Sequence, residues 1–380
     1  MIKKNLPLSH IELSKNNLIH NIKQFKNLAG KNIKFAVAIK GNAYGHGQNL
    51  VAEILEPYVN YFFVNSLEEL KLLRKTSQKK VFVLGYVEIS DLAKVIKLGC
   101  ILSIFSVQQL KKTNKIAQKL RVRQEIHIPI DAYLGREGFL LSELAPFLKE
   151  AKKCEYLKVS GIYAHFANIE DTSDFSHAQK QINEYQKALE LANEFGLKNL
   201  QTHISATSGL LAYEKTKGIY PLVRLGLGVY GLWPSEHLRA IYRKSKFKLK
   251  PVLAWKTKIA QLKILPKGNT VGYGLTYKIK KKTKIAIIPQ GYADGFQRGL
   301  SNKGEVLIRG IRCKILGRIS MNMFVVDASH LSSVQVEDEV VILGCQGQEE
   351  ITAEEMAKKL DTINYEIIAR ISSLLPRVVV

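Results

Sequence analysis

Lys40 closes an apolar run, Phe35-Ala36-Val37-Ala38-Ile39, and Gly41, Tyr44, Gly45 and Gly47 follow at once. A short apolar run bounded by breakers reads as a fully buried strand. A lysine at its end costs desolvation unless it is paired or used covalently. Burial also makes an amine easier to deprotonate and a better Schiff-base nucleophile. The spacing leaves two readings open: the first solvated residue after a strand, or a nucleophile toward a carbonyl. Arg136 and Arg224 sit in glycine-containing segments. A guanidinium stays protonated and suits a planar anion. His165, in Gly161-Ile162-Tyr163-Ala164-His165, and Tyr273, in Gly272-Tyr273-Gly274, are by residue type alone packing residues.

These side chains need elements to position them. His10 to Leu13 reads as a short strand, and Ser14 caps a helix to about Leu28 with Leu18, Ile22 and Phe25 on one face. The strand ending at Lys40 follows, then a helix from about His46 to Glu56. Further strands read over Tyr61–Val64, Val81–Gly85, Ile101–Ile104, Glu125–Ile130, Val159–Ala164, Thr202–Ser205 and Leu222–Tyr230. Ser66 with Glu69 and Ser106 with Gln109 read as capping boxes, and a long helix spans about 176 to 195. Eight short strands with helical connections predict a (β/α)8 TIM barrel, an α/β fold whose chemistry sits at strand ends. A doubly wound sheet is the alternative, and no GxGxxG follows the first strand to support it.

The pattern changes after Leu238. Arg239 to Lys250 is basic and linker-like, and from Pro251 strands and turns dominate: Val252–Leu262, Lys284–Ile288, Val306–Ile308, Lys314–Leu316, Met323–Asp327 and Glu339–Leu343. Thr352 with Glu355 starts one helix, and Tyr365–Ile371 reads as another. The expected organisation is a barrel over residues 10–240 and a C-terminal, mostly β domain over 241–380.

Composition narrows the function classes. The 380 residues are 46% apolar and 24% charged, as in soluble globular proteins. No uncharged apolar run of about 18 residues predicts a membrane span. The basic start lacks a long apolar region behind it, so no signal peptide is read and the cytoplasm is the expected compartment. Cys100, Cys154, Cys313 and Cys345 are scattered, which argues against a disulfide framework or a zinc site; no metal is expected. The formal charge of +24 is spread along the chain with no nucleic-acid-binding motif. It reads as a basic surface suited to an anionic substrate or cofactor. Neither a nucleic-acid nor a membrane partner is expected.

Ala36 to Gly47 closely resembles the pyridoxal-phosphate-binding segment of alanine racemases, and further matches keep the family order over roughly residues 8 to 380. The resemblance implies that Lys40 holds pyridoxal 5'-phosphate as an internal aldimine and is one of two acid/base groups at the substrate α-carbon. Tyr44 would hydrogen-bond the phosphate. Arg136, within Ile130 to Gly138, would sit near the cofactor's phenolic oxygen and the substrate carboxylate. His165 would contact Arg224, which faces the pyridine nitrogen and disfavours a proton there. Thr207, within His203 to Gly209, and the backbone N–H groups of Gly226 and Leu227 would meet phosphate. Tyr273 matches the second base, supplied by the partner subunit. Met321 matches a partner-subunit residue whose N–H meets the substrate carboxylate. Tyr292 and Tyr365 match entrance tyrosines, and Tyr365 also a phosphate contact. The strand within about residues 1–13 would join the β domain.

The chain departs from the family pattern at several points. Ala132-Tyr133-Leu134 replaces the usual Thr-Gly-Met, and Ala206 replaces an asparagine. Ser320-Met321-Asn322 replaces Cys-Met-Asp. Pro129 stands where many relatives have a carbamylated lysine that orients the arginine. Proline cannot do that, which leaves chloride or a nearby carboxylate for the role. The implied function is an alanine racemase, interconverting L-alanine and D-alanine by two-base proton transfer for peptidoglycan supply, as a homodimer with shared active sites. The alternative is a broader-specificity or serine/lysine racemase with the same mechanism. Regulatory lookalikes without turnover resemble only the barrel half, and Tyr273 and Met321 lie beyond it.

Overall fold

Eight short strands, all parallel, wind into a barrel in the N-terminal part of the chain. The structure, a computed structural model, describes residues 6–30, 32–213 and 220–380. After β1 (His10–Leu13) come β2 (Lys34–Ala38), β3 (Tyr61–Val64), β4 (Val81–Val83), β5 (Ile101–Ser103), β6 (Gln124–Pro129), β7 (Leu157–Tyr163), β8 (Gln201–His203) and β9 (Leu222–Leu225). The barrel order is β8-β7-β6-β5-β4-β3-β2-β9. At the seam, the Arg224 N–H donates to the Ser205 carbonyl just beyond β8 at 3.0 Å. This is the expected (β/α)8 barrel. Its strands are buried on both faces, which is why they read as continuous apolar runs. The helix Lys15–Ala29 buries Leu18, Ile22 and Phe25.

The chain divides into two compact units. One is Leu18–Gly41 with Gln48–Lys250, the barrel unit; the other is the chain up to Asn17, Asn42–Gly47 and Pro251–Val380. In the latter, the strands are β10 (Leu253–Lys258), β11 (Gln261–Leu265), β12 (Thr270–Val271), β13 (Tyr277–Lys278), β14 (Thr283–Ile288), β15 (Glu305–Ile308), β16 (Ile311–Lys314), β17 (Phe324–Asp327), β18 (Glu339–Gln346), β19 (Glu349–Ile351) and β20 (Arg377–Val379). The main sheet runs β16-β15-β18-β10-β1-β20, with β19 on β18; β11-β14-β17 and β12-β13 form two smaller sheets. β1 lies antiparallel to β10 and parallel to β20, so the early strand belongs to this mostly β unit.

Four local expectations need correction. First, the helix expected from about His46 to Glu56 is present as Gln48–Leu55, but a turn of the opposite hand precedes it. Gly41, Asn42, Ala43 and Tyr44 take φ of 60°, 53°, 54° and 53°, a left-handed turn. L-residues pay about 1–2 kcal/mol each for that hand, so fixed partners must hold the turn. Within the barrel unit, the Glu69 carboxylate accepts from Gly41 N at 2.7 Å and from Asn65 N at 2.6 Å. Within the β unit, Arg377 Nη2 donates to the Gly45 carbonyl at 2.8 Å.

Glu69 accounts for the second correction. Ser66 Oγ does accept from Glu69 N at 3.3 Å, but the glutamate does not return to the cap residue. Gln109 behaves alike, accepting from Phe105 N at 2.9 Å. Third, the expected strand Leu222–Tyr230 ends at Leu225 and becomes a 3-10 turn over Leu227–Tyr230. Likewise Val252–Leu262 is two strands: at Ile259 and Ala260 the backbone turns to Asp338 and Ile287, and β11 joins another sheet. Fourth, Arg239–Lys250 is no bare linker. The buried Asn21 side chain accepts from Lys250 N at 2.9 Å and donates to its carbonyl at 2.8 Å, and Phe247 packs edge-on against Phe25 at 5.1 Å.

Candidate active site

Lys40 follows the end of β2, whose backbone is fixed by Ile39 N donating to Phe63 O at 2.9 Å. Burial lowers the pKa of its amine, and the neighbouring Arg136 lowers it further, against the opposing pull of Glu69 and Glu137. An amine that releases its proton readily is what attack on a carbonyl requires.

Arg224, on β9, is only 8% exposed. Its Nη2 donates to the carbonyls of Ala164 at 2.6 Å and Ile204 at 3.1 Å, and Nη1 to that of His203 at 3.2 Å. It also meets His203 Nδ1 at 2.6 Å and His165 Nδ1 at 3.1 Å. Burial brings its pKa to about 10, so it is still a cation at neutral pH. The same burial, with Arg224 alongside, pushes His165 down to about 3. A guanidinium only donates, so His165 Nδ1 accepts. The His165–Arg224 contact is thus in place. The sequence reading missed His203 and His127 as its extension: His127 Nδ1 lies 3.0 Å from His203 Nε2. Their signal was an isolated polar residue inside an apolar strand.

Thr207 is buried, and its Oγ1 accepts from Gly226 N at 3.1 Å. Leu227 opens the adjoining 3-10 turn, and Gly228 behind it is tight: a Cβ there would stand 2.4 Å from Phe25 Cζ and 2.7 Å from Thr207 Cγ2. Ala206 has no polar group to add. The donor set of this unit is therefore an amine (Lys40), a buried cation (Arg224), and a hydroxyl with backbone N–H groups (Thr207, Gly226, Leu227). That chemistry fits a ring bearing an aldehyde, a basic nitrogen and a phosphate.

Arg136 stands on a loop shaped by Asp131, whose Oδ1 accepts from Leu134 N at 2.8 Å and Gly135 N at 2.9 Å. Tyr133 has φ of 60°, costly for an aromatic residue, and Lys180 Nζ sits 4.1 Å from its ring centroid. The Arg136 fork grips its neighbour Glu137: Nη2 reaches Oε1 at 2.8 Å, and Nε reaches Oε2. The pair raises the Arg136 pKa. Burial works against ionised Glu137, but its hydrogen bond with Arg136 holds the carboxyl below the usual range. Pro129 ends β6. The carboxylate that meets Arg136 is Glu137, a residue the sequence reading did not single out.

The β unit carries the remaining site residues. Tyr44, from the left-handed turn, and Tyr365, from the helix Asn364–Ala369, stand with ring centroids 6.3 Å apart. Ala293 N donates to the Met321 carbonyl at 3.0 Å, and Tyr292 N to that of Ser320 at 3.2 Å. Gly291 has no room for a side chain, since a Cβ would lie 2.3 Å from the Ser320 and Met321 carbonyl oxygens. Tyr292 and Met321 are thereby brought together. Tyr273 projects from a turn between Gly272 and Gly274, both at φ of 71°. It is 73% exposed, Met321 54% and Tyr292 43%.

Among the described residues no group of three or more His, Cys, Asp or Glu could hold a metal ion, and no helix is long and apolar enough to cross a membrane. The barrel, its strand-end lysine and buried arginine, and the β unit define the class of barrel enzymes that use pyridoxal phosphate. Comparison with known proteins gives the family. Residues 13–234 match the family model "Alanine racemase, N-terminal domain", and 252–379 match "Alanine racemase, C-terminal domain". An alanine racemase of Leptospira interrogans is 33% identical over 377 residues, covering 98% of this chain and 96% of its own. The Clostridium difficile 630 alanine racemase structure superposes with a TM-score of 0.92 at 32% identity, over 99% of this chain and 97% of its own. That from Bartonella henselae, described with covalently bound pyridoxal phosphate, has a TM-score of 0.86 at 25% identity, over 98% and 100%. The chain belongs to the alanine racemase family.

Proposed function

We propose that the protein is a pyridoxal-phosphate-dependent alanine racemase, interconverting L-alanine and D-alanine. Lys40 would hold the cofactor covalently. Tyr44, Thr207, Gly226, Leu227 and Tyr365 would hold its phosphate. Pyridoxal phosphate supplies, when bound, an electron sink that makes the substrate Cα–H acidic. Arg136 orients the substrate carboxylate, and Glu137 fixes Arg136 in the place of an absent lysine carbamate. Arg224, which can only donate, would face the ring nitrogen and would disfavour a proton there. Lys40 and Tyr273 of the partner subunit take and return the α-proton on opposite faces. Racemisation needs one such group on each face, and their pKa values must be tuned to the working pH.

The observation that carries the reading is the pairing, in one unit, of a lysine whose amine is made easier to deprotonate with a buried arginine that is still a cation at neutral pH. The exposure of Tyr273 and Met321 supports a homodimer in which each chain completes the other's site. Tyr292 and Tyr365 would line its entrance. D-alanine would then serve peptidoglycan synthesis in the cytoplasm.

Tyr133 and Glu137, beside Arg136, favour a second reading of wider specificity, for serine or lysine. Values of kcat/KM for L-alanine, L-serine and L-lysine decide between them. A value for serine or lysine well above that for alanine overturns the alanine assignment.

A further inference from the structure

Arg224 is a buried cation whose hydrogen-bond partners among the described residues are carbonyls and imidazoles. A buried charge normally takes an ionic partner. Among the described residues no carboxylate bonds it; His203 and His165 meet it directly, and His127 stands behind His203. We propose that His203 and His127 are positioning residues for Arg224, a relay of two imidazoles locked in one tautomer that holds the guanidinium in place without neutralising it. The proposal rests on the reading that Arg224 faces the cofactor ring.

The lock follows from donor counting. Arg224 Nη1 can only donate, so His203 Nδ1, 2.6 Å away, carries no hydrogen. The neutral ring then has its hydrogen on Nε2. That nitrogen lies 3.0 Å from His127 Nδ1, which must accept. The hydrogen of His127 is therefore on Nε2. This last atom is buried and has no hydrogen-bond partner. It is directed at Gly161, where a Cβ would stand 2.5 Å from it. The relay ends on a donor with nowhere to pass a proton.

The reverse tautomer would set two donors against each other at His203. A protonated ring would add a second cation beside Arg224. Apolar walls leave no solvent to relieve either: His203 stacks on Tyr163 with centroids 5.1 Å apart and planes 3° apart, and Phe82 lies 4.7 Å from His127. Lys40, Tyr163, Tyr185, Glu137 and Arg136 also interact electrostatically with Arg224, and none of them appears among its hydrogen-bond partners. The guanidinium thus keeps its full charge for whatever acceptor it faces. A carboxylate partner would have cancelled that charge.

The test reads tautomers directly. The holoenzyme, labelled with 15N-histidine, is examined by two-bond N–H correlation, with assignment by single His→Asn variants. His203 and His127 should both carry hydrogen on Nε2 and show no titration between pH 5.5 and 9. A hydrogen on His203 Nδ1, or a titration of either ring in that range, overturns the proposal. His203→Leu removes the acceptor and should lower kcat/KM by on the order of 100-fold, the cost of a buried donor left unpaired, and shift the absorbance band of the bound cofactor. His203→Asn, which offers Oδ1 where Nδ1 was, should restore most of both. An unshifted band in the leucine variant, or no recovery in the asparagine variant, would likewise overturn it. Absence of racemase activity in the wild type would defeat the functional reading instead, and leaves the tautomer measurement interpretable.

Discussion

Lowering the pH from 7.5 to 5 should strip a large part of the protein's stability while most carboxylates are still ionised. His46 and His127 are buried and neutral, with pKa values pushed down by burial to about 4 and about 3. His46 is further committed, its Nδ1 placed 2.9 Å from the Tyr44 carbonyl in the left-handed turn. In the unfolded chain both would titrate near 6.5. The folded state therefore binds fewer protons below pH 6.5, and the stability present above that value is lost as pH falls toward the folded pKa values. At pH 5, about 1.5 units down, each contributes a loss of about 2 kcal/mol, so the pair costs about 4 kcal/mol. His203, also buried and lowered, acts in the same direction. Against a typical total of about 5–15 kcal/mol, this is a large fraction. Urea titrations at both pH values, with the slope unchanged, should show the midpoint fall to match. A midpoint that moves by less than a quarter of that would mean these rings are solvated or charged in the native state.

Three further outcomes follow from single positions. Gly45→Ala would place a Cβ 2.0 Å from the Ile368 carbonyl oxygen at φ of 81°; it should destabilise by at least about 2 kcal/mol, and an unchanged melting temperature would refute the geometry of the turn. Glu137→Gln should lower kcat/KM for alanine by roughly 10-fold or more through loss of the ionic fork on Arg136, and the wild type should be indifferent to removal of bicarbonate; an unaltered variant, or a carbonate requirement, would show that another anion orients Arg136. Tyr273→Phe and Lys40→Ala should each be nearly inactive, but mixed and re-equilibrated they should recover about a quarter of wild-type activity, because half the dimers then hold one intact site of two. No recovery would place both groups in one chain's site.

Much of the architecture was legible because parallel barrel strands are buried on both faces and announce themselves as apolar runs, with Lys40 and Arg224 at or near their ends. The helix at Lys15 was equally plain from Ser14 and its apolar stripe. What escaped depended on partners distant in sequence. Ala43 and Tyr44 have no intrinsic taste for the left-handed turn, and the Arg377 side chain that bonds the Gly45 carbonyl lies more than 300 residues further along the chain. The glutamate at 69 looked like half of a capping box, a local role, when its carboxylate serves residue 41 instead. Glu137 was passed over because adjacency to an arginine carries no signal until the loop turns the two side chains toward each other. His127 and His203 looked like ordinary strand residues. Only the barrel's closure brings them into line with Arg224.

The chemistry of the site depends first on the amine of Lys40. Borohydride reduction of the protein reconstituted with pyridoxal phosphate, followed by peptide mapping, should bleach the absorbance near 420 nm and leave the reduced cofactor on the peptide containing Lys40. Label on any other lysine, or on none, would contradict it.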